Sequence, residues 1–299
     1  MDSTIAVLAI LDGLSYAALV FLVSVGLSLI FGVLRIVNVA HGSLYAYGAY
    51  TAATIGLAVA KISPWLTFPA LLVASVLVGV VIGGLMERFL LRPVYGREEV
   101  LQLLITFAVF MIMDNLQRLI WGVQPIFAAD PVKLLPNVSV LGVNYTSYQV
   151  ILLPLVALAT LLGLRYFLRH TLAGAVILAV TEDREAATAI GIDARKVFLV
   201  TFMIGASLAA LGGALASPTT SLVPGMGTDM IVLSFAVAAT AGLGQIEGAA
   251  VTALAIGLAR AFIIYIQPEF EVLVPYLIMV LVLLVRPMGL FGTSKVRKI

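Results

Sequence analysis

The sequence predicts an all-α polytopic membrane protein with about nine transmembrane or partly broken helices, the N-terminus outside and the C-terminus cytoplasmic. Three observations carry this. Hydrophobic residues make up 62% of the 299 and charged residues only 11%, against about 25% charged in water-soluble domains. The apolar residues gather in runs of about 20, the length a helix needs to cross ~30 Å of hydrocarbon. Thirteen of the 17 Lys and Arg residues fall on one side of the topology those runs dictate, the bias that marks the cytoplasmic face.

Candidate spans cover 6–33, 38–60, 66–86, 100–120, 148–168, 197–217, 229–246, 249–266 and 271–286. Lipid offers no partner to an unpaired backbone, so each span is expected to be a helix. The ten-residue alternating segments of a membrane barrel are absent from the sequence. Gly26, Gly32, Gly42, Gly48 and Gly56 crowd the first two spans, which could include a broken helix. The short Gly-rich runs within 229–266 could be re-entrant.

The basic side holds Arg35, then Arg88, Arg92 and Arg97, then Arg165, Arg169, Arg184, Arg195 and Lys196, then Arg286, Lys295, Arg297 and Lys298. Lys61, Arg118, Lys133 and Arg260 remain for the outside or the membrane itself. Loop 121–147, punctuated by Pro125, Pro131, Pro136 and Gly142, reads as an irregular outside cap. Residues 1–299 read as one transmembrane domain, with no linker, low-complexity tract or cleavable signal peptide.

Composition also removes function classes. With no Cys and two distant His residues, neither disulfides nor a thiolate or His-pair metal site is expected. A net charge of +2 gives no reason to expect a nucleic-acid partner. No G-x-x-x-x-G-K-[ST] phosphate loop is present. Nothing marks the chain as an enzyme or assigns it a cofactor.

One polar stretch on the basic side stands out. Thr181 is the expected cap of a helix over 182–191 whose first turn carries Glu182, Asp183 and Glu185, the charge sign favoured at a helix N-terminus. Ala186, Ala187, Ala189 and Ile190 give it a small apolar face, and Gly191 a stop. A helix lying on headgroups favours Trp, Phe, Leu and Lys. Alanines and acids suit a helix that lies in another protein's groove; the plain interfacial helix is the alternative.

Other polar residues sit at membrane depth. Asn38 and His41 open the second span and, three apart, would share a helix face. With Gly42 they could line or gate a path near the inside face, or lock two helices by a hydrogen bond. Gly42, Ala46 and Ala49 form a small-residue seam suited to close packing. Asp114 and Arg118 are spaced to pair near the outer rim beside Trp121. Gly242-Leu243-Gly244-Gln245-Ile246-Glu247-Gly248 reads as a tight inside turn or, alternatively, a half-helix break. Arg260 lies mid-span without a local partner, which points to a path or a subunit interface.

Glu185-Ala186-Ala187, three residues, then Gly191 resembles the EAA loop of ABC importer permeases. Asn38-Val39-Ala40-His41-Gly42 followed by Tyr47-Gly48-Ala49-Tyr50, Arg184–Ile192, Gly242–Ala249, and Arg286-Pro287-Met288-Gly289-Leu290-Phe291-Gly292 are similar, in order, to the branched-chain amino acid (LivH-like) ABC transporter permease family. The resemblance implies that segment 170–196 docks on a cytoplasmic ATPase through Glu182, Asp183, Arg184, Glu185, Ala186, Ala187 and Gly191. It further implies a second homologous permease subunit, two cytoplasmic ATPase subunits that use the ATP and Mg, and an extracytoplasmic substrate-binding protein. The setting would be a bacterial inner membrane, crossed several times. The substrate class it implies is a branched-chain or other amino acid, or a related amide, urea or small carboxylate. A rival class, a stand-alone ion-coupled secondary transporter or channel, would need buried paired carboxylates; only Asp114 and Glu247 approach membrane depth.

Overall fold

The computed structural model describes residues 3–292; Lys295, Arg297 and Lys298 of the basic side lie outside them. The helices are α1 (Ser3–Leu34), α2 (His41–Ala60), α3 (Pro64–Val94), α4 (Glu99–Trp121), α5 (Asp130–Leu134), α6 (Tyr148–His170), α7 (Leu172–Glu182), α8 (Arg184–Ala189), α9 (Ala194–Ala216), α10 (Met226–Ala241), α11 (Ile246–Ile266) and α12 (Leu273–Val285). Among the described residues, α1, α3, α4, α6, α9 and α11 are long and apolar enough to cross a membrane, and α7, α10 and α12 are shorter apolar helices. The protein is a polytopic all-α membrane protein.

α1 is the axis of the bundle. Its most apolar window is 89% buried, against 22% in α4 and 17% in α6, so α1 meets protein all round while α4 and α6 turn apolar faces such as Leu104, Ile112 and Leu155 to lipid. Lipid is as apolar as leucine, so helices associate by close van der Waals fit rather than by escape from water. Small residues supply it here. A Cβ on Gly26 of α1 would lie 2.5 Å from the Gly205 carbonyl oxygen of α9, and one on Gly48 of α2 would lie 2.2 Å from that of Ala210. α1 runs antiparallel to both α9 and α11: Gly26 meets Gly205 while Leu19 and Val23 meet Gly212, and Gly13 meets Ala261 while Gly32 meets Gly244.

α3 departs from a plain α-helix. Its segments Val78–Gly83 and Met86–Leu91 are π-helical, a wider turn that is rare and concentrates at functional positions. There Gly79 and Gly83 press against Ser207 and Ala206 of α9.

Neither of the first two spans is broken within its length: α1 and α2 are each one continuous helix, and the non-helical residues 35–40 are the connection between them. α2 starts at His41, not at Asn38 as the apolar run suggested. The Gly242–Gly248 stretch holds a tight turn over 242–245 between α10 and α11, with Gln245 N–H donating to the Gly242 carbonyl at 3.0 Å. The Met288–Gly292 segment docks on it: Leu290 and Phe291 N–H donate to the Thr240 and Ala241 carbonyls at 2.8 and 2.9 Å. Two stretches distant in sequence thus form one structural unit.

The 121–147 cap holds α5 and an antiparallel hairpin, β1 (Asn137–Val140) and β2 (Val143–Thr146). Leu141 and Gly142 both take positive φ, 49° and 85°, as a two-residue primed turn requires.

Candidate functional site

The polar segment on the basic side is a helix–kink–helix. α7 runs to Glu182, Asp183 turns extended (φ −149°, ψ 102°), and its carboxylate accepts the Ala186 N–H at 3.0 Å to start α8. The cap is therefore Asp183 and not Thr181, whose hydroxyl donates back to the Ile177 carbonyl at 2.8 Å in the last turn of α7. Glu182 closes α7 rather than opening α8. Aspartate outranks threonine as an N-cap, and the apolar run 172–180, expected to be loop, continues as helix up to it.

Gly191 takes φ +91°, and Ile192 N–H reaches the Ala187 carbonyl at 3.1 Å. This is the glycine stop that only an unbranched backbone adopts freely. Within α8, Ala187 is buried while Arg184, Glu185, Ala186, Thr188 and Ala189 are exposed, as is the following Ile190. The helix stands off the bundle and presents a small-residue face.

The base of α8 is tied down. The Arg184 guanidinium lies 5.1 Å from the centroid of the Phe198 ring on α9. Tyr95, just past α3, meets the same ring edge-on at 5.2 Å and 81°. The Tyr95 hydroxyl donates to Glu87 Oε1 at 3.0 Å, and Arg92 Nη2 donates to Glu87 Oε2 at 3.1 Å. The Glu87 side chain is fully buried, so both partners are needed to offset desolvation of its charge. Burial first, and the Glu87 carboxylate second, push the Tyr95 phenol above its ordinary range, which keeps its proton available as the donor. Glu87, Tyr95 and Phe198 were not singled out in the sequence. A lone acid in an apolar run five residues before Arg92 was the available signal.

The α1–α2 break is the second candidate. His41 Nε2 lies 3.0 Å from the Val23 carbonyl oxygen; a carbonyl only accepts, so Nε2 carries the proton and ties α2 to α1. Val23 lies eleven residues before the end of α1, about 16 Å along its axis, so His41 sits deeper than the expected position near the inside face. Asn38 precedes the helix and shares no helical face with His41. Both side chains are completely buried, yet Asn38 Oδ1 and Nδ2, His41 Nδ1 and the Ser43 hydroxyl have no hydrogen-bond partner within the chain. The hydroxyls of Ser24 and Ser28 on α1 and Thr201 on α9 are in the same condition. Gly42 packs the first turn of α2 against α10, where a Cβ would fall 2.2 Å from the Gly227 carbonyl oxygen.

Arg260 has a partner after all. It pairs with Glu271, in the turn before α12, and lies 3.9 Å over the Tyr16 ring of α1. Glu247 pairs instead with Arg165 at 3.3 Å and Arg169 at 3.0 Å. Asp114 and Arg118 pair at 2.7 Å as their spacing implied, and Trp121 Nε1 donates to the Thr54 hydroxyl at 2.8 Å. Of the residues expected to dock, Arg184 meets the Phe198 ring that Tyr95 also packs against, whereas Asn38, His41 and Gly42 lie together elsewhere and Arg260 apart from both. Among the described residues no group of three or more His, Asp or Glu is placed to hold a metal.

Residues 9–283 match the family described as branched-chain amino acid transport system / permease component. The high-affinity branched-chain amino acid transport system permease protein LivH of Escherichia coli K12 is 27% identical over 299 residues, covering 96% of each chain. LivH of Salmonella typhimurium is 26% identical over 296 residues, with 96% of each chain covered. The corresponding BraD protein of Pseudomonas aeruginosa is 28% identical over 300 residues, covering 97% of each chain. No solved structure matches the chain. The chain belongs to this family of permease components, and so is a transport component rather than an enzyme.

Proposed function

We propose that this chain is a membrane subunit of an ATP-binding-cassette importer that carries a branched-chain or other amino acid, or a related amide, urea or small carboxylate, across a bacterial inner membrane. A second homologous permease, two cytoplasmic ATPase subunits using ATP and Mg, and an extracytoplasmic binding protein complete it. Nine spans are counted by adding α2, α10 and α12 to the six long apolar helices, with the N-terminus outside and the C-terminus inside. The antiparallel packing of α1 on α9 and α11 supports that count, as does the gathering of Arg35, Arg92, Arg97, Arg165 and Arg169 at helix ends on one side.

The observation that carries the reading is α8: capped by Asp183, stopped by Gly191, and anchored only at its base, with its small-residue face exposed. Such a helix fits a groove on the ATPase, with Glu182, Asp183, Arg184, Glu185, Ala186, Ala187 and Gly191 forming the docking segment. Asn38, His41 and Gly42 form a gate at the α1–α2 break. Irregular backbone at membrane depth is tolerated only inside protein or beside a watery cavity, and their orphaned polar atoms gain partners when the path hydrates. Arg260, held by Glu271, marks the outer end of the path. Glu185→Lys tests the docking: it should abolish substrate-stimulated ATP hydrolysis in the assembled importer while insertion is unchanged. Full stimulation in that variant would refute the assignment.

A further inference from the structure

We propose that Glu87, Tyr95 and Phe198, with Arg184, form a transmission joint that delivers movement of α8 to α3 and α9 together. This rests on the reading of α8 as the ATPase-docking helix and adds the route by which its movement enters the bundle. Within α8 only Ala187 is buried, so the helix meets the bundle through that methyl and through the Arg184 side chain. Arg184 does not grip a single helix. Its guanidinium lies over the Phe198 ring near the start of α9, and Tyr95 packs T-shaped against that same ring. Cation–π and edge-to-face contacts are directional, so a push on Arg184 loads both aromatics.

Tyr95 in turn is not a free surface ring. Its hydroxyl and Arg92 both hold the buried Glu87 carboxylate, which sits in the π-helical segment Met86–Leu91. Letting go would strand a buried charge, so the Tyr95 end of the joint is stiff. Further into the membrane, α3 and α9 touch almost backbone to backbone at Gly79–Ser207 and Gly83–Ala206. α9 then meets α1 at Gly26–Gly205 and α2 at Gly48–Ala210, the two helices that flank the break. A continuous packed route thus joins the docking helix to the gate.

The test uses the complete importer in proteoliposomes, with a radiolabelled amino-acid mixture as the transported probe and phosphate release measured on the same vesicles. Phe198→Leu should lower uptake per ATP hydrolysed about tenfold, a coupling loss of ordinary allosteric size. Tyr95→Leu, at the half-buried end of the joint, should do the same. Phe198→Trp, which restores an aromatic face to Arg184, should stay near the wild-type ratio, a rescue that mere packing at this position would not require. Should Phe198→Leu fail to assemble, Tyr95→Leu decides. An unchanged uptake-to-hydrolysis ratio in Tyr95→Leu overturns the joint while leaving the docking assignment intact. A wild-type chain that fails to retain the ATPase subunits overturns the docking assignment itself, and the joint with it.

Discussion

The Glu87 cluster and the α1–α2 break both bury polar atoms completely, and they treat them in opposite ways. Around Glu87 the carboxylate has Arg92 and Tyr95 as partners, and the network continues to Phe198 and Arg184. At the break, Asn38 has neither side-chain atom paired, and His41 has only one. A satisfied buried network holds one arrangement. An unsatisfied buried group costs about 1–3 kcal/mol, so the break depends on partners from outside the chain, water foremost, that the Glu87 cluster does not need. On the proposed reading, the joint is built to stay as it is and the gate to change.

The contrast predicts substitution effects of opposite sign. The largest is expected at the joint. Glu87→Leu strands Tyr95 and Arg92 without their acceptor and should destabilise the protein by about 2 kcal/mol, discounted because Arg92 is partly exposed. A lower unfolding temperature in detergent checks it; an unchanged one would mean the cluster is not a satisfied network. Asn38→Leu is next and reverses the sign. Replacing an orphaned amide by an apolar group of similar size should stabilise the packed state by about 1 kcal/mol and slow transport, read as a higher unfolding temperature with reduced uptake. A fall in both would show that Asn38 is structurally needed, and the gate reading would lose its support. The smallest effect is expected at Glu247→Gln. Its bonds to Arg165 and Arg169 join side chains that are about half exposed, and such pairs contribute at most about 1 kcal/mol. A shift as large as that of Glu87→Leu would erase the distinction between buried and exposed pairs on this side.

What the sequence revealed follows the same division. Runs of apolar residues announce helices because lipid leaves the backbone no other choice, and the glycine stop at Gly191 needs no tertiary information. Asp114 with Arg118 was legible for the same reason, being a contact within one helix. The Arg260–Glu271 pair and the Glu247 pairs were not, since their partners are set by how helices turn back on one another. The cap moved from Thr181 to Asp183 because α7 extends further than an expected loop would allow. Asn38 was misplaced on a helix because apolar content fixes where a span passes but not where its helix begins. Glu87 was overlooked because its partner Tyr95 lies just past the end of α3, and Phe198 because only the third dimension brings Arg184 to its ring.

The central claim, that α8 is seated in a partner ATPase, has a direct measurement. The natural chain has no cysteine, so Ala189→Cys places a single thiol on the exposed face of α8. In the permease without ATPase subunits that thiol should react rapidly with a water-soluble maleimide, and adding the ATPase subunits should protect it. Protection is the predicted result; equal labelling with the ATPase subunits bound would contradict the account.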